Sequence, residues 1–97
     1  MPSDNFSQLI AERYQFWTDQ GKSGAQLFDA MGADPVLPFM LGPEDAAVVV
    51  GSTPSGLKQQ RARRTGPPYI RLSGKLIGYP RPDLFRHLAQ RYVGRAA

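Results

Sequence analysis

The chain has 97 residues, no cysteine, 41% apolar residues and a formal net charge of +4. This length favours a single domain, and the lack of cysteine excludes a disulfide framework, a thiolate zinc site and a cysteine nucleophile. With no apolar run of about 18 residues, no signal-peptide pattern and a single histidine, we expect a soluble, cytoplasmic, bacterial-type protein that is not an enzyme and holds no metal or cofactor.

The N-terminal part of the chain is predicted to form two helices. Residues 4–20 carry apolar side chains at helical spacing along one face: Phe6, Leu9, Ile10, Tyr14 and Trp17. A shorter helix is predicted from Ser23 to Met31, ending at Gly32. Residues 34–38 are expected to be extended, because each proline disfavours helix in the residue before it. We therefore assign residues 1–40 to an acidic, aromatic, helical extension.

Two further short helices are predicted after this extension. Pro43 and the two acidic residues that follow it favour a helix start, and Gly51 ends that helix. Thr53 is the expected N-cap of the next helix, with Pro54 at its first position and its end near Arg64. Two short helices separated by a glycine-containing turn have the outline of a helix-turn-helix.

The remaining residues predict a β-hairpin and a last helix. Residues 69–72 and 76–79 alternate as strands do, and Ser73-Gly74-Lys75 forms a tight turn between them. The last helix starts at Pro82-Asp83, and its expected buried face comprises Leu84, Phe85, Leu88, Tyr92 and Val93. The predicted fold is therefore mostly α with a two-stranded hairpin, and residues 41–97 form its main domain.

Charge is distributed very unevenly along the chain. Residues 1–50 hold two cations and seven anions, whereas residues 51–97 hold ten cations and one anion. A basic half of this density favours binding to a polyanion, because each neutralised phosphate releases a condensed counterion. The alternative is a basic surface that serves only solubility.

The predicted helix from Pro54 is polar and basic apart from Leu57 and Ala62, so most of it must face something other than a core. Gln59 is the candidate for base readout, because an amide can pair bidentately with adenine. Lys58 and Arg63 are candidates for phosphate or guanine contacts. The full set of predicted DNA-binding residues is Ser55, Lys58, Gln59, Arg61, Arg63, Arg64, Arg71 and Lys75.

Each of these residues has an alternative interpretation. Ser55 could satisfy local backbone groups, and the cations and Gln59 could be solvated side chains of an exposed surface. Arg71 could pair with Asp83 rather than face DNA. The DNA-binding interpretation of Lys75 is a phosphate contact, because the residue lies at the hairpin turn. His87 is expected to have a packing or helix-surface role.

Five segments occur in an order that is typical of a known family. They are Leu41-Gly42-Pro43-Glu44-Asp45-Ala46-Ala47, Gly51-Ser52-Thr53-Pro54-Ser55, Gly66-Pro67-Pro68-Tyr69-Ile70-Arg71-Leu72, Ile77-Gly78-Tyr79 and Pro82-Asp83-Leu84. With these segments, residues 41–93 resemble the small winged helix-turn-helix proteins of the excisionase and AlpA type, within the MerR-like superfamily. The chain departs from that pattern at Gln60, where many relatives have tryptophan, and at Arg64, where a glycine often ends the recognition helix.

The resemblance implies a DNA-binding recombination directionality factor, with its second helix in the major groove and its hairpin on the backbone or minor groove. It also implies bending of attachment-site DNA and action beside an integrase on a mobile element, at the bacterial nucleoid. One small module buries only about 600–1,000 Å² on DNA, so we expect head-to-tail self-association of several copies on double-stranded DNA. The alternatives are an AlpA-like transcription regulator of integrase or transfer genes, and a protein-interaction adaptor that uses Tyr14, Phe16 and Trp17. Outside this adaptor alternative, these three aromatic side chains are expected to lie in the core.

Overall fold

Within residues 4–94, which the computed structural model describes, the chain forms five helices and three short strands. In chain order they are α1 (Asp4–Asp19), α2 (Gly24–Gly32), β1 (Met40–Leu41), α3 (Pro43–Val50), α4 (Pro54–Ala62), β2 (Ile70–Ser73), β3 (Leu76–Pro80) and α5 (Arg81–Arg91). The predicted order of helices and hairpin is confirmed. The mostly helical fold with a small β component is confirmed as well.

The ends of α3 and α4 follow the local signals in the sequence. Gly51 follows α3 with a left-handed φ of 70°, a conformation that glycine adopts at little cost. Thr53 caps α4, and its Oγ1 accepts a hydrogen bond of 2.9 Å from the backbone N–H of Gly56. Helix α4 ends at Ala62, two residues earlier than predicted, and Arg64 follows with φ 59°, the only positive φ of a non-glycine residue in the described range.

The sheet contains one strand that the sequence did not predict. The three strands are antiparallel in the order β1-β3-β2, so the hairpin strand β3 lies in the middle. Leu41 of β1 pairs with Tyr79, and Ile70 of β2 pairs with Gly78. Strand β1 has only two residues, which is too short for an alternating pattern to be recognised.

Residues 34–38 do not form the extended connector that was predicted. The backbone N–H of Leu37 donates to the carbonyl oxygen of Asp34 at 3.3 Å, and that of Val36 donates to Asp34 Oδ1 at 2.9 Å. An aspartate side chain that accepts from the backbone two residues later stabilises a turn. This turn directs the chain from α2 into β1.

A single hydrophobic core joins the two halves of the chain. Its buried side chains come from both sides of residue 41: Phe6, Ile10, Met31, Leu37, Leu41, Ala46, Ala47, Leu57, Ile77, Tyr79, Leu84 and Phe85. The predicted buried face of the last helix is correct at Leu84 and Phe85 but wrong at Tyr92 and Val93, which are 50% and 73% exposed. Helix α5 ends at Arg91 and Tyr92 is extended, so helical spacing no longer applies to these two residues.

Helix α1 is attached to this core by a buried carboxylate. Asp34 is fully buried, and its Oδ2 accepts hydrogen bonds from Arg13 Nε at 2.6 Å and from Trp17 Nε1 at 2.9 Å. Burial alone would raise the pKa of Asp34, but hydrogen bonds from Arg13, Val36 and Trp17, together with the charge of Arg13, hold it below its ordinary value. The N-terminal helix is thus joined to the turn after α2 by an ionic contact.

The predicted core role of the N-terminal aromatic side chains is correct for two of the three. Tyr14 packs edge-on against Phe28 and Phe85, with ring centroids 6.4 Å apart in both pairs, and burial raises its pKa. Trp17 also packs against the core. Phe16 remains 40% exposed, and the guanidinium of Arg13 lies 4.2 Å from the centre of its ring.

None of the described helices is long and apolar enough to cross a membrane. Residues 4–94 also contain no group of three or more potential metal-ligating side chains of the His, Cys, Asp or Glu type.

Candidate functional site

An open cleft of about 540 Å³ lies between α4 and the β2–β3 hairpin. Four of its lining residues are cations, and no carboxylate is among the described residues that line it. Lys58 and Arg61 come from α4, Arg71 from β2, and Lys75 from the hairpin turn. We call this surface the basic cleft; it combines half of the eight predicted DNA-binding residues.

Helix α4 exposes nearly all of its surface because it has a single buried side chain. Leu57 is fully buried and attaches the helix to the core. The neighbouring Lys58, Gln59 and Gln60 are exposed. A helix with one buried leucine and mostly exposed polar side chains is suited to binding a polar ligand rather than to burial.

Arg61 joins α4 to the hairpin. Its Nη1 donates a hydrogen bond of 2.7 Å to the hydroxyl oxygen of the buried Tyr79. Its guanidinium also lies 5.7 Å from the centre of the Tyr69 ring, and the Tyr69 and Tyr79 rings are 6.2 Å apart. These contacts fix the angle between helix and hairpin, and with it the shape of the basic cleft.

The two tyrosines of this contact were not predicted as site residues. The available signal was the strand alternation, which places Tyr79 on the same face of β3 as Ile77, a residue that lines the cleft. Arg61 was predicted as a direct DNA contact, and the structure gives it an intramolecular partner as well.

The hairpin cations have different surroundings. Arg71 Nη1 donates to the carbonyl oxygen of Gly74 at 3.1 Å, across the hairpin turn. The alternative pairing of Arg71 with Asp83 is wrong, because Asp83 instead accepts from Arg86 Nη1 at 3.1 Å. Lys75 is exposed at the turn, as predicted.

The other four predicted residues lie outside the basic cleft. Ser55 and Gln59 are exposed on α4, and Arg63 is exposed directly after it, but none of the three is among the residues that line the cleft. Arg64 lines a neighbouring cleft of about 370 Å³, which shares Arg61 with the basic cleft.

His87 lies half-buried on α5, in the packing or helix-surface position that was expected. Burial of the imidazole and the charge of the nearby Arg91 lower its pKa. At neutral pH this side chain therefore stays mostly uncharged.

The chemistry of the basic cleft is that of an anion-binding surface. Guanidinium groups offer paired N–H donors that match phosphate oxygens, and ammonium groups add compact point charges. Comparison with protein-family models, with curated proteins and with solved structures gives no match for the chain.

Proposed function

We propose that this chain is a sequence-specific, double-stranded DNA-binding protein of the winged helix-turn-helix class. In this proposal α3 and α4 are the helix-turn-helix, α4 is the recognition helix, and the β2–β3 hairpin is the wing. The supporting features are the short Gly51 turn between the two helices, the exposed surface of α4, and the hairpin that follows it.

The basic cleft is the observation that carries this proposal. Its four cations lie on two different elements that face each other, whereas cations kept only for solubility need no common surface. A phosphate backbone that follows the hairpin and α4 would neutralise several of these charges together. Lys58, Arg71 and Lys75 are proposed as backbone contacts, and Arg61 as a contact that also orients the cleft.

Base readout is assigned to the exposed side of α4. Gln59 can pair with adenine in the major groove, and Arg63 can pair with guanine or phosphate. Ser55, in the first turn of the helix, can donate to a phosphate. A bidentate amide–adenine pair is worth about 1–3 kcal/mol of discrimination between bases, so Gln59 should govern specificity more than affinity.

Within this class we propose a recombination directionality factor, an excisionase, that bends attachment-site DNA so that an integrase excises a mobile element. This step is supported by the resemblance of residues 41–93 to excisionase-type proteins. Head-to-tail self-association on DNA is part of the proposal: exposed Glu12, Asp19 and Asp29 on α1 and α2 complement the basic surface of a neighbouring copy. The alternative in the same class is a transcription regulator of integrase or transfer genes.

The test is a fluorescence-anisotropy titration on attachment-site and promoter DNA of the carrying element, compared with scrambled DNA, at about 50 and 200 mM salt. We expect tighter binding to one of the natural sites and a steep loss of affinity with salt. Lys58→Ala should weaken binding to both DNAs, whereas Gln59→Ala should reduce the preference for the natural site by about 5- to 150-fold. Lys22→Ala, which removes an exposed cation between α1 and α2, is the matched control.

Equal affinity for natural and scrambled DNA would overturn the sequence-specific function. No binding at low salt would overturn DNA binding altogether and favour the adaptor alternative, with Phe16 as its exposed aromatic residue. If DNA binding holds, integrase-dependent excision with and without this protein separates the directionality factor from the transcription regulator.

A further inference from the structure

We propose that the phosphate-binding surface extends beyond the basic cleft to the exposed face of α5, where Arg86 and Arg91 contact a second stretch of the DNA backbone. This inference rests on the proposed DNA-binding function. It adds two residues that lie far along the chain from the recognition helix.

Three adjacent clefts form a continuous surface from the hairpin turn to α5. The basic cleft and the cleft lined by Arg64 share Arg61 and Tyr69. The latter cleft in turn shares Gly66 and Pro68 with a third cleft, of about 400 Å³, on α5. A ligand that follows the protein surface from the basic cleft therefore reaches α5 by crossing the loop between α4 and β2.

The exposed face of α5 has the composition that a phosphate backbone requires. Helix α5 buries Leu84 and Phe85 against the core, which leaves the opposite face to solvent. The helix residues that line the third cleft are spaced along that face: Asp83, Arg86, His87, Gln90 and Arg91. Two guanidinium groups, an imidazole and an amide thus accompany a single carboxylate.

That carboxylate does not cancel the positive charge of the face. Asp83 is paired with Arg86 at 3.1 Å, but the two side chains are 39% and 64% exposed. Water therefore screens their attraction, and the ion pair breaks and re-forms easily. Arg86 can therefore contact a phosphate while it remains near Asp83. Arg91 is exposed in the last turn of the helix.

Continuity with the basic cleft favours DNA over an acidic protein as the ligand of this face. The three clefts together are lined by seven cations: Lys58, Lys75, Arg71, Arg61, Arg64, Arg86 and Arg91. One long polyanion satisfies all of these charges, whereas the acidic face of a neighbouring protein would satisfy only part of them. A backbone held at both ends of this surface would pass over the loop at Gly66.

The experiment compares Arg86→Ala, Arg91→Ala and the double variant with wild type and with Lys22→Ala, by anisotropy over a series of salt concentrations. Each lost phosphate contact should reduce the slope of log K against log[salt] by about 0.9, so the double variant should lose about 1.8. The preference for natural over scrambled DNA should not change, because phosphate contacts carry no sequence information. Asp83→Asn should have the opposite effect and tighten binding.

A duplex-length comparison provides the second measurement. On a duplex of about 10 base pairs, one helical turn, the α5 variants should bind as wild type does, and their defect should appear on a duplex of about two turns that is titrated to one bound copy. Wild-type salt slopes for both variants on long DNA, with Lys58→Ala weakened, would overturn this inference and leave the proposed function intact. Absence of any wild-type binding would instead refute the proposed function. A defect confined to the second and later copies on one DNA would also overturn the inference about α5. The α5 face would then bind the acidic surface of a neighbouring copy instead of DNA.

Discussion

Replacement of Asp34 tests whether the N-terminal helix is an integral part of the fold. Asp34 has no exposed surface, and its carboxylate accepts from a guanidinium, an indole and a backbone N–H. Asp34→Ala would leave Arg13, whose side chain is 19% exposed, without its ionic partner and Trp17 without an acceptor. Asp34→Asn removes the charge but keeps an oxygen for the turn at Val36.

The magnitude follows from the burial of the two charged partners. Removal of one member of a buried ion pair costs about 3–5 kcal/mol, and the partial exposure of Arg13 places Asp34→Ala near 3 kcal/mol. For a domain of this size each kcal/mol lowers Tm by about 4–8 °C, so we expect Tm to fall by about 12–24 °C. Asp34→Asn should cost about 2 kcal/mol, because one oxygen still accepts from the backbone.

The sign of the pH dependence is fixed by the lowered pKa of Asp34. At acidic pH the carboxyl group of Asp34 carries on average fewer protons in the folded state than in the unfolded state. Its contribution to stability is therefore present above the ordinary aspartate pKa and is lost as pH falls through the lower folded value. In Asp34→Asn this part of the acid dependence should be absent.

Urea denaturation followed by circular dichroism measures these free energies, with Asp29→Asn, an exposed acid on α2, as the control. The control should change the free energy of unfolding by less than about 0.5 kcal/mol. If Asp34→Ala matches this control, the buried carboxylate does not stabilise the fold, and α1 is then held by apolar contacts such as those of Phe6 and Ile10.

Three further variants test the site. Tyr79→Phe removes the hydrogen-bond acceptor of Arg61 and should lower the free energy of unfolding, measured by urea denaturation, by about 1 kcal/mol. DNA affinity should fall with an unchanged salt slope, because no charge is lost, and a reduced slope would contradict the role of Tyr79 in orienting Arg61. Arg64→Gly should raise the free energy of unfolding by about 1 kcal/mol, because it relieves a left-handed backbone, while it weakens DNA binding; a loss of stability would argue against strain at this position. Lys75→Ala should weaken natural and scrambled DNA equally in anisotropy titrations and reduce the salt slope by about 0.9, and an altered sequence preference would show that the hairpin turn reads bases.

Local chemistry explains which parts of the fold the sequence predicts well. Gly51, Thr53 and Pro54 each act on backbone groups within a few residues, so the ends of α3 and the start of α4 are readable from neighbours alone. The backbone after α4 is different: Arg64 adopts the left-handed conformation that glycine favours, and no glycine at this position signals it in the sequence.

The parts that escaped prediction depend on residues distant in the chain. The partners Arg61 and Tyr79 are 18 positions apart, and Arg13 reaches Asp34 across 21. The residues next to Asp34 in the sequence do not indicate that it is buried, so the sequence alone does not distinguish it from an exposed acidic residue. The prediction that Tyr92 is buried is wrong for another reason. Helical periodicity assumes that the helix continues through this residue, whereas α5 ends at Arg91.

The position of β3 between β1 and β2 has a consequence for the kinetics of folding. β2 and β3 adjoin through a two-residue turn, whereas β1 pairs with β3 across the intervening α3, α4 and β2. Closing that long loop costs more chain entropy than forming the hairpin. We expect the hairpin to form early and the pairing of Leu41 with Tyr79 to form late. Substitution at Leu41 should then mainly accelerate unfolding, with a small effect on the folding rate.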